Sequence, residues 1–338
     1  MEKGQRNVSL DLIQIIATFL VVMIHQAANV NLPDDANPVS LTILNAICEA
    51  CVPLFLMKTG ALLLKKERPC SLKSTFRRIG YISAVIVFWG LFYNVVSYTI
   101  IDGFSASVLL RSVKSVITAD TAYNYQFWYL YMLLGLYAVI PIIKPFFDNA
   151  EKKDLLYLLG FCCLCGCLLP FLSPIIKINK TSFWLIRYFP WFSGFLFYCA
   201  LGEYLSRYPL NKAVRVIGAV LVIPLGVITV LYPDIWLTYF SPFTILYSIS
   251  VFCALQDIPS DRLGEKCRRF IQKASELSFG VYIMHPILIL AARKILHIGS
   301  EILPPAVLGV IVFSLINYSV CTFITMIIKK IPILRKIV

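Results

Sequence analysis

The chain has 338 residues, 59% of them hydrophobic and only 14% charged, with a formal net charge of +13. A soluble domain of this size carries about 25% charged residues, so the composition excludes an ordinary soluble enzyme and leaves no stretch for a separate soluble domain. The basic excess does not indicate nucleic-acid binding, because the charges sit in short loops between apolar spans, which is the positive-inside pattern of a membrane protein.

Ten apolar spans are expected, near 9–30, 41–64, 76–100, 125–147, 154–172, 187–206, 213–231, 239–256, 275–296 and 302–328. Each is long enough to be a helix crossing or nearly crossing a bilayer. The expected fold is all-α, a polytopic transmembrane helix bundle forming one domain over 1–338. The first span is too long for the apolar core of a signal peptide, and no small-x-small cleavage site follows it, so it is expected to stay. With the N-terminus inside, 23 of the 31 Lys and Arg fall on the inner side and 7 on the outer, with Lys58 within the second span. That asymmetry predicts cytoplasmic termini in a cell membrane, and a bacterial inner membrane suits it.

The first span, RNVSLDLIQIIATFLVVMIHQAAN (6–29), keeps Asp11, Gln14, Thr18 and His25 in an otherwise apolar run. At about 100° per residue, Gln14, Thr18, Asp11 and Asn29 all fall within about 40° of His25. One narrow polar stripe therefore runs for roughly 27 Å along the helix. A polar group facing lipid costs several kcal/mol, so the stripe must face protein or a water-filled cavity. Ionisable residues inside a membrane point to a functional site; the plainer reading is that these groups glue helices together.

Further along, Glu49 and Lys58 share the second span, CEACVPLFLMKTGALL, but lie about 180° apart on the helix, so they cannot pair with each other and each faces a different neighbour or a cavity. Pro53 between them disturbs the helix. Lys58 either snorkels to the cytoplasmic surface or serves the site. The inner loop LLKKERPCSLKSTFRRI, with Arg77 and Arg78, is the densest basic segment. It acts as a topology signal against anionic headgroups or as a counter-charge for a polyphosphorylated cytoplasmic ligand. The fourth span opens YNYQFWYLYMLLGLY; most of its aromatics form an interfacial belt, with Gln126 and Trp128 kept as substrate contacts. Arg187 opens the sixth span, RYFPWFSGFLFYCALGEYL, as an outer anchor or an anion contact, and Glu203 near its inner end suits an arginine partner.

In the ninth span, ASELSFGVYIMHPILIL, Tyr282 and His285 lie three apart on one face. Pro286 has no N–H, so the Tyr282 carbonyl loses its helical donor and must be satisfied otherwise. Eleven cysteines are present, most inside apolar spans. Cys162, Cys163, Cys165 and Cys167 lie in one hydrophobic helix without matching ligands elsewhere, so they read as small packing residues and no metal is expected. Cys48 and Cys51 form a C-x-x-C that packs or acts as a redox pair.

Several of these stretches resemble, in order, the acyltransferase 3 family. Arg6…Leu10-Asp11 with His25 fourteen residues after the aspartate resembles its opening motif. VPLFLMKTGALL (52–63), QFWYLYMLLGLYAVIPII (126–143), RYFPWFSGFLFYCALGEYL and SELSFGVYIMHPIL resemble its later segments. The likeness covers nearly the whole chain and points to the short branch without an extracellular esterase-like domain. It implies an integral membrane O-acetyltransferase that takes acetyl from cytoplasmic acetyl-CoA and modifies an envelope glycan or lipid-linked sugar. It makes His25 the catalytic residue and places Arg6, with Asp11, Gln14, Lys58, Arg77 and Arg78, on the acyl-donor side. Glu49, Gln126, Trp128, Arg187, Tyr282 and His285 are then candidates for the acceptor. Two positions depart from the family pattern: Gln14 stands where a second arginine is common, and Thr59, after an unusual Lys58, stands where serine is common.

Such a transfer needs a base for the hydroxyl and a means to hold the developing oxyanion. His25 serves as that base or attacks directly to form an acetyl-imidazole. Asp11 lies about 21 Å away along the helix, too far to orient the ring, and instead fixes Arg6. The alternative class is a secondary transporter with a buried proton relay, which would show paired halves; no internal repeat is visible.

Overall fold

The computed structural model describes residues 6–30, 39–66, 68–173, 175, 184–258, 262–299, 302–303, 305–332 and 334–338, with the side chains of 184–192 outside the description. The helices are α1 (Val8–Ala27), α2 (Val39–Cys48), α3 (Cys51–Leu63), α4 (Leu72–Asp102), α5 (Ala106–Ile117), α6 (Trp128–Asn149), α7 (Lys152–Cys163), α8 (Leu169–Leu172), α9 (Trp184–Arg207), α10 (Lys212–Leu231), α11 (Pro233–Trp236), α12 (Pro242–Gln256), α13 (Glu265–Lys294) and α14 (Ala306–Ile328). No strand occurs among the described residues. The fold is all-α and polytopic. Eight segments of the described residues are long and apolar enough to cross a membrane. The other two expected spans are α9, a helix of 24 residues, and α12, an apolar helix of 15.

Helix starts follow local chemistry. Asn7, Ser71, Ser105, Asn211 and Ser241 each accept a backbone N–H of the first turn through the side chain, and Glu151 with Asp154 forms a capping box at α7. These caps satisfy donors that a helix start leaves unpaired.

The second expected span is not one helix. It breaks at Glu49–Ala50 into α2 and α3. Pro53 explains the position: its missing N–H is the one that would have bonded the Glu49 carbonyl, and its ring crowds that carbonyl. Proline therefore starts α3 instead of kinking a continuous helix, and leaves Glu49 at the break.

Contacts divide the chain into two compact units, Met1–Lys65 with Ala150–Phe323, and Lys66–Asn149 with Ile324–Val338. In the first, α1 packs on α13 and α3, and α3 packs closely on α9. Glycine permits the α3–α9 approach. A Cβ on Gly60 would lie 1.8 Å from the Cys199 carbonyl oxygen, and one on Gly202 would lie 2.0 Å from the Met57 oxygen. Small residues that let backbones touch are the usual device for joining helices in lipid, where no hydrophobic drive exists between them. Of the four clustered cysteines, Cys162 and Cys163 end α7, and Cys165 and Cys167 lie in a π-turn over Leu164–Leu168, whose Gly166 packs on the α9 backbone at Gly194. Among the described residues no group of three His, Cys, Asp or Glu side chains could hold a metal ion.

In the second unit α5 is fastened to α4 by the Tyr98 and Ser115 hydroxyls at 3.0 Å and by Arg111 over the Tyr98 ring at 4.1 Å. It is fastened to α6 by Tyr131, whose hydroxyl donates to the Val116 carbonyl at 2.9 Å. Val108, Ser112 and Ser115 are buried on one face, while Leu109, Leu110, Val113 and Ile117 are exposed on another. Lys114 and Arg111 occupy a third, giving the pattern of a helix lying in the plane of a membrane surface. The Trp89 indole N–H, on α4, donates to the Ile337 carbonyl at 2.9 Å.

Candidate active site

The stripe on α1 faces protein. At its start, the Arg6 guanidinium grips Asp11 with two hydrogen bonds, Nε to Oδ2 at 2.7 Å and Nη2 to Oδ1 at 2.9 Å. The same guanidinium donates to the Gln272 carbonyl at 3.1 Å and to Glu276. Ser275 donates to Asp11 Oδ1 at 2.7 Å. These bonds tie the start of α1 to α13. Arg6, ahead of the first membrane helix, has its pKa raised above the usual guanidinium value, chiefly by its hydrogen bond to Asp11. Asp11 thus fixes Arg6, as its distance from His25 requires.

The next stripe residue is met from α3. Lys58 does not end in water; its Nζ donates to Gln14 Oε1 at 2.8 Å. Glutamine thereby receives the lysine where a second arginine would repel it. Thr18, fully buried, donates to the Gln14 carbonyl one turn back at 2.8 Å, a bond that lets a hydroxyl lie inside an apolar bundle. Thr59 does the same to the Phe55 carbonyl at 2.8 Å.

At the far end His25 meets His285. Their rings are nearly parallel, 19° apart, with centres separated by 5.3 Å. His285 is fully buried, and its Nδ1 lies 2.8 Å from the Tyr282 carbonyl oxygen and 3.3 Å from that of Val281. The Tyr282 carbonyl is the one left without a helical donor by Pro286, and the ring of the preceding residue fills the place. Because both neighbours of Nδ1 are acceptors, Nδ1 carries the proton and Nε2 carries a lone pair. Asn317 of α14 donates to the His285 carbonyl at 3.0 Å and holds this turn from behind. Tyr282 packs between Phe55 at 6.5 Å and Phe279 at 6.3 Å, and its ring lies 6.3 Å from that of His285.

The two ends fix the directions of the helices. Ser275 meets Asp11, and His285, further along α13, meets His25, further along α1; α1 and α13 run parallel. Ser275, Ser278, Tyr282 and His285 share one face of α13 at helical spacing. That second polar stripe was legible in ASELSFGVYIMH, yet Ser275, Glu276 and the supporting Asn317 are absent from the sequence-based candidates. Asn317 had no local signal at all.

The remaining candidates stand elsewhere. Glu49 sits at the α2–α3 break with Oε2 buried and no hydrogen-bond partner. Glu203 takes Arg207, Nε to Oε1 at 2.8 Å, and Arg207 also reaches the Ala150 carbonyl at 3.3 Å. Gln126, Trp128, Arg77 and Arg78 belong to the second unit. There Gln126 is buried in a short turn over Tyr125–Phe127, and Trp128 starts α6 half-exposed, its ring edge against Tyr129. Arg77 is exposed and Arg78 half-buried. Arg68, in the loop before α4, has its pKa lowered by burial and then by the charge of Arg78, so these guanidiniums lie close enough to repel. The side chain of Arg187 lies outside the described residues.

Taken together, unit one holds a ring pair at one end of a polar helix seam and an arginine–carboxylate cluster at the other, and the imidazole at the first end has the chemistry of a general base. No curated protein and no solved structure matches the chain. The acyltransferase domain profile of the acyltransferase 3 family matches residues 7–326, a range that contains His25 and His285 and ends within α14, and the chain therefore belongs to that family of membrane acyltransferases.

Proposed function

We propose that the chain transfers an acetyl group from cytoplasmic acetyl-CoA to a hydroxyl of an envelope carbohydrate or a lipid-linked sugar in a bacterial cell membrane. His25 is the base. It takes the proton of the hydroxyl as the oxygen attacks the thioester carbonyl; the C–S bond breaks, and the CoA thiolate takes the proton back from the ring. The donor's phosphates are met by cationic side chains of the cytoplasmic face, where most of the Lys and Arg fall. The Arg6 cluster shapes the inner end of the α1 seam, along which the thioester reaches toward His25.

The single observation that carries this reading is the stack of His25 on His285. It takes the ionisable ring of α1 out of the lipid and sets it against a second ring whose Nδ1 proton is already committed. The parallel course of α1 and α13 supports the topology, because both helices then start on the cytoplasmic side. A transporter reading gains nothing from an arrangement in which Asp11, Lys58 and Glu203 are each committed to a partner.

The test is transfer by the full chain in lipid nanodiscs, with labelled acetyl-CoA and a total membrane glycolipid extract as acceptor, followed by mass spectrometry. His25→Ala is expected to abolish transfer while elution and thermal unfolding stay as in the wild type. Near-wild-type turnover by that variant would discard the mechanism. Rapid quenching separates direct transfer, which leaves no labelled protein, from an acetyl-imidazole.

A further inference from the structure

We infer that the buried Nε2 of His285 receives a second hydroxyl of the acceptor, beside the one that His25 deprotonates, and that the acceptor class is therefore a vicinal diol, not a simple alcohol. The inference rests on the acyl-transfer reading above and narrows it.

The starting fact is an unpaired lone pair. His285 Nε2 is buried and has no hydrogen-bond partner within the protein, while the residue as a whole is fully buried. Leaving such an acceptor unmet forfeits the hydration it had in water, and native structures seldom leave one without a reason. The tautomer cannot relieve it. Nδ1 is held by the Tyr282 carbonyl at 2.8 Å, and that carbonyl has no competing amide because residue 286 is proline. Nor does the backbone let the ring drift. Asn317 holds the His285 carbonyl at 3.0 Å, and Asn317 is itself held by Cys321, whose Sγ donates to its Oδ1 at 3.3 Å. The chain thus fixes a neutral ring with its accepting nitrogen turned away from the helix backbone and gives that nitrogen no donor.

The second fact is position. The ring stacks on His25 at 5.3 Å between centres and 19° between planes. Ring centres 5.3 Å apart are close enough for one ligand with oxygens on adjacent carbons to meet both rings by ordinary hydrogen bonds. In the proposed pose one hydroxyl donates to His285 Nε2 and its neighbour faces His25. A sugar offers such pairs, whereas a simple alcohol offers only one hydroxyl and leaves Nε2 unmet. Sites built to receive a hydroxyl reject analogues that lack it far more strongly than apolar pockets reject a missing methylene. His285 is then a specificity-determining residue, distinct from the base.

The experiment uses the full chain in nanodiscs with acetyl-CoA and two probe acceptors, hexyl glucoside and hexan-1-ol. The wild type is expected to favour the glucoside at least about tenfold in kcat/KM, the value of one net hydrogen bond. His285→Phe, which keeps a ring on His25 but removes the lone pair, is expected to lose most of that preference, and His285→Gln, which restores an acceptor, to regain part of it. Nitrogen NMR of histidine-labelled wild type gives a readout independent of variants. With only three histidines in the chain, the His285 Nε2 resonance is expected to shift on titration with hexyl glucoside and not with hexan-1-ol. Equal rates on the two probes, an unchanged preference in a folded His285→Phe, or an Nε2 signal indifferent to the glucoside each overturns the inference and leaves the acyl-transfer reading standing. Failure of the wild type to acetylate either probe overturns the hydroxyl-transfer reading beneath it.

Discussion

Asp11 and Ser275 are 264 residues apart in the chain, yet the serine hydroxyl donates to the aspartate at 2.7 Å in a buried contact. With the two bonds from Arg6, this carboxylate receives three donors drawn from two elements. It is the polar clasp that sets α13 beside α1, and so the clasp that brings His285 to His25.

Asp11→Ala is expected to destabilise the protein by about 2 kcal/mol, because Arg6 and Ser275 lose their acceptor and part of the charge stays buried. The figure allows for the partial exposure of Arg6, whose side chain is 38% accessible and so screened by water. Asp11→Asn keeps an acceptor and should cost less than half as much. Thermal unfolding in detergent measures both; equal losses would show that shape, not charge, holds the clasp.

At the Lys58–Gln14 contact the order of effects is the test. Gln14→Leu leaves an ammonium among apolar neighbours, while Lys58→Met removes the charge and keeps the volume. Removing one partner of a buried charged contact costs more than replacing the charge. Gln14→Leu is therefore expected to be the more destabilising by at least about 1 kcal/mol, and the double variant to resemble Lys58→Met. Chemical denaturation curves of the three proteins decide it.

Gly202→Ala should prevent normal packing of α9 on α3. Its Cβ would lie 2.0 Å from the Met57 carbonyl oxygen, and backbone cannot move aside as a side chain tip can. The expected result is loss of monodisperse protein or a fall of several kcal/mol in stability. Gly160→Ala in α7 is the control, since nothing lies within 4 Å of the added atom. In a helix interior that change should be neutral or stabilise by about 0.5–1 kcal/mol.

Pro286→Ala returns an amide N–H to the Tyr282 carbonyl and so competes with His285 Nδ1 for it. The helix should be no less stable, yet the ring is no longer held in one tautomer. Transfer is expected to fall about tenfold at unchanged or raised unfolding temperature. Unchanged turnover would mean that the Nδ1 bond does not position the ring.

Cys267 is exposed at the start of α13 and lies on the cytoplasmic side in the proposed topology. In oriented membrane vesicles, an impermeant thiol reagent should label it only when the inner face is outward. Labelling from the outer face would reverse the orientation and with it the side from which the donor enters.

The sequence alone determined whatever depends on short-range periodicity. Apolar length gave the spans, helical spacing placed Asp11, Gln14, Thr18 and His25 on one face, and proline chemistry marked Tyr282 as a carbonyl in need of a donor. It also showed that Glu49 and Lys58 could not pair with each other. None of those rules names a partner, because a residue's neighbour in another helix is set by how the helices pack, not by distance along the chain. Only the tertiary structure decided that Lys58 meets Gln14, that Ser275 closes on Asp11, that the donor for Tyr282 is the ring of His285, and that this ring lies on His25. The physical reason is the membrane itself: it makes a polar group without a partner costly, and lets the packing of small residues such as Gly60 and Gly202 settle which partner is within reach.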